Sequence, residues 1–342
     1  MYLDKKRILI TGGTGSLGKV LTRRILSGQL GTPQSVVVFS RDEAKQHEMR
    51  MEYLNRRSVT EDVMYHNFER TLQFKIGDVR DFHSVAQALT NVDIVFNAAA
   101  LKQVPACEYF PYEAVRTNIE GAENIVRAIK ELRLNIETVV AISTDKACKP
   151  TNVMGMTKAI QERIFLTANI DCPTTRFVAV RYGNVLASRG SVVPLFLDQI
   201  EAGGPITLTD KKMTRFLLTL DQAVDTVFEA MQFAEAGETY IPKIKAALIA
   251  DVVSALVGKK KIEVKETGVR PGEKLHEVLV SHEESLRTIS RGDYFAIKSI
   301  LPEVSKFKTG HEFKFVELSS ENFVMHSLET KQMLEENGFE ST

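Results

Sequence analysis

The sequence predicts an α/β fold, a doubly wound parallel sheet of the Rossmann type with a smaller C-terminal lobe. Two observations carry this: short apolar runs alternate with longer helical patterns through the first half of the 342 residues, and a glycine-rich stretch follows the first run directly. The runs are Arg7-Ile8-Leu9-Ile10, Val36-Val37-Val38-Phe39, Phe74-Lys75-Ile76, Ile94-Val95-Phe96, Val139-Val140-Ala141-Ile142 and Phe177-Val178-Ala179-Val180. Each is bounded by Gly, Asp, Asn or Ser, which suits strands buried on both faces. Strands alternating with helices need right-handed crossovers, and these make the sheet parallel. After about residue 182 the rhythm changes to a Gly- and Ser-containing loop, then interrupted helices and short strands. The expected organisation is a dinucleotide-binding domain over 1–182, a lobe over 183–300 interleaved with it, and a C-terminal extension over 301–342. That extension ends in a helical pattern stopped by Gly338.

Composition excludes several classes. Forty-four basic and 44 acidic side chains cancel, so no whole-molecule field concentrates nucleic acid or an anionic membrane, and neither is an expected partner. No apolar run approaches the roughly 18 residues that span a bilayer. The three cysteines, Cys107, Cys148 and Cys172, are odd in number and widely separated, which fits neither a disulfide framework nor a structural zinc site. A reducing, cytoplasmic location and no metal are expected. Cys148 has no base in sequence to activate it and is expected to be structural.

After the first run comes Thr11-Gly12-Gly13-Thr14-Gly15-Ser16-Leu17-Gly18. Glycine there permits a tight turn, a close approach to pyrophosphate and close helix packing, while a helix amino terminus offers free N–H donors. Gly12, Thr14, Gly15, Ser16, Leu17 and Gly18 are therefore expected to hold a dinucleotide. At the second strand tip stand Ser40 and Arg41, with Asp42 after them. An arginine at this point favours a ribose 2′-phosphate, so NADP is expected over NAD.

The spacing GxxGxxG resembles the extended short-chain dehydrogenase/reductase superfamily. That resemblance implies adenine contacts at Asp78 and Val79, and a cofactor path along Ala98 and Ala99. It also implies a Ser or Thr after the fifth strand and a Tyr-x-x-x-Lys on the next helix. Here the strand runs into Ser143-Thr144-Asp145-Lys146, and the helix carries Met154-Gly155-Met156-Thr157-Lys158. Four-residue spacing puts Met154 and Lys158 on one helical face, so Lys158 can still hold the nicotinamide ribose while the phenolic acid/base is missing.

Ser-Thr-Asp-Lys is similar to the UDP-N-acetylglucosamine 4,6-dehydratase family of capsule, O-antigen and glycan pathways. Further matches are Ser40-Arg41-Asp42-Glu43, Gly77-Asp78-Val79-Arg80-Asp81, the stretch from Ala98 through Leu101-Lys102-Gln103-Val104-Pro105, Arg181-Tyr182-Gly183-Asn184-Val185 and Met213-Thr214-Arg215-Phe216. The likeness runs from about residue 5 to about 300, and Met at position 154 is typical of the capsule and O-antigen members. It implies a lyase with an internal redox cycle, inverting C5, in which hydride leaves C4, water leaves across C5 and C6, and the hydride returns at C6. Thr144, Asp145 and Lys146 would carry the proton transfers, with Lys146 a base at C5 whose burial lowers its proton affinity and Asp145 the acid at C6. Lys102, Asn184, Arg189, Val193, Arg215, Arg270 and Glu273 would meet UDP-N-acetylglucosamine, and Asn118 would stabilise the site. A homo-oligomer is expected. Two other readings stand beside it: a nucleotide-sugar 4-epimerase, and a non-catalytic dinucleotide sensor for which Met154 marks lost chemistry.

Overall fold

The computed structural model describes residues 1–54, 68, 70–186, 191–305 and 311–339. Strand β1 (Arg7–Thr11) leads into helix α1 (Ser16–Leu26), and the alternation continues with β2 (Ser35–Ser40), α2 (Glu43–Leu54), β3 (Leu72–Ile76), α3 (Phe82–Leu89) and β4 (Ile94–Asn97). Two short helices, α4 (Val104–Tyr109) and α5 (Pro111–Ala114), and a π-helical stretch (Val115–Glu120) precede α6 (Gly121–Glu131), β5 (Thr138–Ile142), α7 (Val153–Asp171) and β6 (Arg176–Val180).

These six strands pair in parallel in the order β3-β2-β1-β4-β5-β6. Alternate side chains supply the two layers. Ile8, Ile10, Val36 and Val38 pack on Leu21 and Ile25 of α1, whereas Leu9, Val37 and Phe39 pack on Val85 of α3, Ile125 of α6 and Phe165 of α7. Five of the six strands are mostly buried, as apolar runs require. Strand β3 departs from that expectation: it holds no fully buried residue and Ile76 is 63% exposed, because β3 lies at the sheet edge.

The second half contributes to both lobes. Its elements are β7 (Asn184–Val185), α8 (Val192–Glu201), β8 (Ile206–Leu208), β9 (Thr214–Leu218), α9 (Leu220–Phe233), β10 (Thr239–Pro242), β11 (Ala246–Leu248), α10 (Ile249–Val257), β12 (Val264–Glu266), β13 (Val278–Val280), α11 (His282–Ser285), β14 (Thr288–Arg291), β15 (Tyr294–Ile297), β16 (His311–Glu312), β17 (Leu318–Ser319) and α12 (Ser327–Glu336). Strand β10 pairs in parallel with β6, and β15, β14 and β16 add antiparallel strands beyond it, making ten. Helix α9, started by a Thr219–Gln222 capping box, lays Val224, Val227 and Phe228 on the same sheet face as α1. The smaller lobe has its own core, with Val193, Phe196, Ile206, Leu217, Val252 and Leu334.

Among the described residues no helix is long and apolar enough to cross a membrane. None of their His, Cys, Asp and Glu side chains form a group able to hold a metal ion. All three cysteines are buried and free of disulfides.

Candidate active site

Strand order reverses between β1 and β4, and outside the carboxyl ends of the strands around that point lies a cavity of about 1140 Å³. Open α/β sheets bind ligands at such a switch point. The volume exceeds the range of a pocket for one small molecule and leaves room for a dinucleotide beside a second ligand.

The glycine turn forms one end, and three of its four glycines, Gly12, Gly15 and Gly18, line the cavity but differ in what they do. Gly12 sits at φ +64°, and a Cβ there would come within 2.7–2.8 Å of the Ala98 and Ala99 backbone. A Cβ on Gly18 would stand 2.5 Å from Gly13, so Gly18 allows α1 to start tight against the turn. At Gly15 a Cβ would meet only the Gly12 carbonyl, at 3.2 Å, and the residue lines the cavity. Two glycines thus serve the protein's own packing, and the third leaves the helix amino terminus open to a ligand. These residues fit a nicotinamide dinucleotide. Thr14, Ser16, Leu17 and Ser40 also line the cavity. Arg41 lines it too, with its side chain 53% exposed and only a loose 3.7 Å contact to Asp78.

Val79, Ala98 and Ala99 lie on the cavity wall, but Asp78 does not. Its carboxylate is taken by Arg80, at 2.6 and 2.8 Å. Asn118, on the π-helical stretch, exchanges hydrogen bonds with the backbone of Leu101 and donates to Thr157, tying the loop after β4 to α7.

Past β5 the chain turns sharply. Thr144 starts the turn, accepting from the Lys146 N–H and donating to Asp145 Oδ1 at 2.8 Å. A Cβ on Gly155 would stand 2.3 Å from the Lys146 carbonyl, so this glycine lets α7 press on the turn. Asn152 caps α7 through the Gly155 N–H and donates to the Gly272 carbonyl, joining the helix to the 270–274 turn of the smaller lobe. Lys158 is buried and donates to the Ile142 carbonyl and Gln161; burial pushes its pKa down to about 8. Met154 lines the cavity edge at 4% exposure and packs with Cys107 and Ala114. Burial raises Cys148 to about 12 and Cys107 to about 11, which leaves both thiols inert.

Three expectations need correction. Asp145 is fully buried and is not on the cavity wall: it lies behind Thr144 and Lys146, with Oδ2 unpartnered among the described residues. Lys146 does line the cavity, but its proton affinity is raised rather than lowered. Burial alone would favour the neutral amine, yet Asp145 at 3.1 Å and Glu277 at 3.3 Å outweigh it. Val193 points into the smaller lobe's core at 1% exposure, sharing a helical face with Phe196 and Ile200, whereas its neighbours Val192 and Pro194 line the cavity.

Lys102, Asn184, Arg215, Arg270 and Glu273 all line the cavity; Arg189 lies outside the described residues. Arg215 is held by the carbonyls of Thr214, Leu275 and Lys274 and is given no carboxylate partner by these bonds, so a positive charge faces the space. Asn184 Oδ1 and Glu273 Oε2 are buried without a partner among the described residues. Sequence reasoning missed Glu277 and Asn152. Asn152 stands just before an apolar periodic segment, which is a capping signal. Glu277 lies just past Arg270 and Glu273, two positions expected to meet the nucleotide, but nothing local announces its pairing with Lys146.

A phosphate-ready turn at the switch point, with a buried helical lysine one strand away, defines an extended short-chain dehydrogenase/reductase. Within that class the chain belongs to the polysaccharide biosynthesis protein family, whose model matches residues 8–299. It is similar to a protein named UDP-glucose 4-epimerase from Rickettsia conorii, 42% identical over 87% of this chain and 84% of that one. Among solved structures it is similar to Pen from Bacillus thuringiensis, with TM-score 0.88 and 35% identity over 99% of this chain and 100% of that one. The DesIV dTDP-glucose 4,6-dehydratase of Streptomyces venezuelae, solved with NAD bound, shares the fold with TM-score 0.66 and 20% identity, over 79% of this chain and 86% of that one.

Proposed function

We propose that this chain is an NADP-dependent UDP-N-acetylglucosamine 4,6-dehydratase that inverts C5. The observation that carries the reading is a methionine in place of a proton-transferring tyrosine, in a site where Lys146 lies 3.1 Å from the fully buried carboxylate of Asp145. A 4-epimerase needs no acid and base at C5 and C6; loss of water needs both. The nicotinamide, when bound, supplies reversible hydride transfer and makes C4 a ketone, which acidifies the C5–H.

The pair prepares both groups in one step. Moving a proton from Lys146 Nζ to Asp145 Oδ1, 3.1 Å away, leaves a free amine and a carboxylic acid. The amine takes the C5 proton as the C6–O bond breaks. Asp145 returns its proton to the hydroxyl of Thr144, a residue of the cavity wall, as that hydroxyl gives its own proton to the departing C6 oxygen, which leaves as water. After water loss Lys146 is ammonium and Asp145 carboxylate, as they began; once C6 has regained its hydride, C5 takes a proton from solvent on the opposite face, which balances the proton that the C4 hydroxyl released on oxidation. Lys158 would hold the nicotinamide ribose, and Arg215 and Arg270 would bind the diphosphate; all three line the cavity. Arg41, with no close carboxylate bond of its own, suits the 2′-phosphate of NADP.

The name of the Rickettsia relatives favours a second reading, 4-epimerisation. Incubation with UDP-N-acetylglucosamine in deuterated water, followed by proton NMR, separates the two. A new C6 methyl signal with deuterium at C5 supports dehydration. An inverted C4 with intact C5 and C6 supports the epimerase, and dinucleotide binding without turnover supports the sensor.

A further inference from the structure

We infer that Glu277 is a positioning residue for Lys146, a second carboxylate that fixes the ammonium at the cavity wall and ties the base to the segment that meets the nucleotide. The inference rests on Lys146 acting as the base and adds the group that controls it.

Glu277 is 2% exposed, yet it lines the cavity. Its Oε1 lies 3.3 Å from Lys146 Nζ, close to the 3.1 Å of Asp145 Oδ1, so the ammonium is gripped from two sides by groups on different lobes. The backbone around Glu277 is fixed: its N–H donates to Ser320 Oγ at 2.9 Å and its carbonyl accepts from the Ser320 N–H at 2.8 Å. Oε2 has no hydrogen-bond partner among the described residues, and Lys274 Nζ stands 3.7 Å from it. Lys274 itself donates to the Cys148 carbonyl at 2.7 Å, so it is held by another group. A buried carboxylate left partly unsatisfied is costly, and one partner at salt-bridge distance is Lys146.

Asp145 precedes Lys146 in the chain and is placed by the same turn, so alone it cannot fix the amine against rotation about its four-carbon stem. Glu277 supplies the second anchor. It comes from the chain just past Arg270-Pro271-Gly272-Glu273-Lys274, the turn that Asn152 fastens to α7. The charged groups facing Lys146 are then Asp145 and Glu277, which favour its ammonium, and Arg215, which opposes it.

The test reads Lys146 directly. Competitive acetylation with acetic anhydride across pH, followed by mass spectrometry, gives the midpoint at which Lys146 becomes nucleophilic. In Glu277→Gln, which keeps shape and loses charge, that midpoint should fall by about 1–3 pH units, while exposed Lys265 is unchanged. Turnover should drop about 10²-fold with KM little altered, because a displaced base harms the reacting geometry more than binding. Glu277→Asp, which keeps the charge but withdraws it, should show a smaller shift, and it serves alone if the glutamine variant does not fold. An unmoved Lys146 midpoint in a folded variant overturns the inference. Retained C5 exchange in Lys146→Ala would instead overturn the proposed chemistry, so the two failures are distinguishable.

Discussion

The two ends of the cavity are built by opposite means. At the cofactor end the active feature is absent matter: Gly12 and Gly18 have no room for a Cβ, and Gly15 leaves the start of α1 uncovered. At the far end it is buried charge, with Lys146, Asp145, Glu277 and Arg215 drawn from three separated segments. A backbone-built site tolerates few substitutions because the chain itself would collide. A charge-built site tolerates changes of shape but not changes of proton count.

The largest effect expected from this contrast is at the charged end. Lys146→Ala should lower dehydration and C5 exchange on the order of 10²–10⁴-fold while cofactor still binds, measured by NMR and by nucleotide titration. Near-normal turnover would break the contrast. At the glycine end, Gly12→Ala should lose about 2–5 kcal/mol of stability, from positive φ and backbone overlap together. Gly15→Ala should leave denaturant midpoints nearly unchanged and weaken dinucleotide binding instead. Equal destabilisation by both would erase the division of labour among the glycines.

Arg41→Ala should weaken NADP by about ten- to a hundredfold and NAD hardly at all, since only NADP offers a phosphate for a charge-assisted contact. Equal losses would mean that Arg41 does not meet the phosphate. The smallest effect is a pH dependence of stability. Burial holds Lys158 near 8, below the ordinary lysine value, so the unfolded chain binds more protons between those limits. The wild type should therefore gain stability relative to Lys158→Met as pH rises through about 8, and lose it as pH falls. Thermal melts at pH 7 and 9 read the sign.

The same contrast explains what could be read from the sequence. The glycine turn and its strand were legible because tight turns and helix starts are local demands, stated within eight residues. The pairing of Lys146 was not, since Glu277 reaches it only after the smaller lobe has folded back. Val193 was misplaced for a simpler reason: a motif names neighbouring residues together, but the turn of α8 sends Val192 and Val193 to different faces. The composition of strand β3 resembles that of the buried strands, but its place at the sheet edge decides its exposure.

The pairing of β10 on β6 also has a consequence for synthesis. Ala179 and Val180 are wholly buried, and β10 supplies their neighbours, Thr239 and Tyr240. On the ribosome β6 emerges about 60 residues before that partner, a delay of roughly 3–12 s at ordinary elongation rates. Throughout it the nascent sheet presents an apolar edge open to pairing with other chains. A chain cut after β6 would keep that edge permanently and aggregate rather than yield a free cofactor-binding unit.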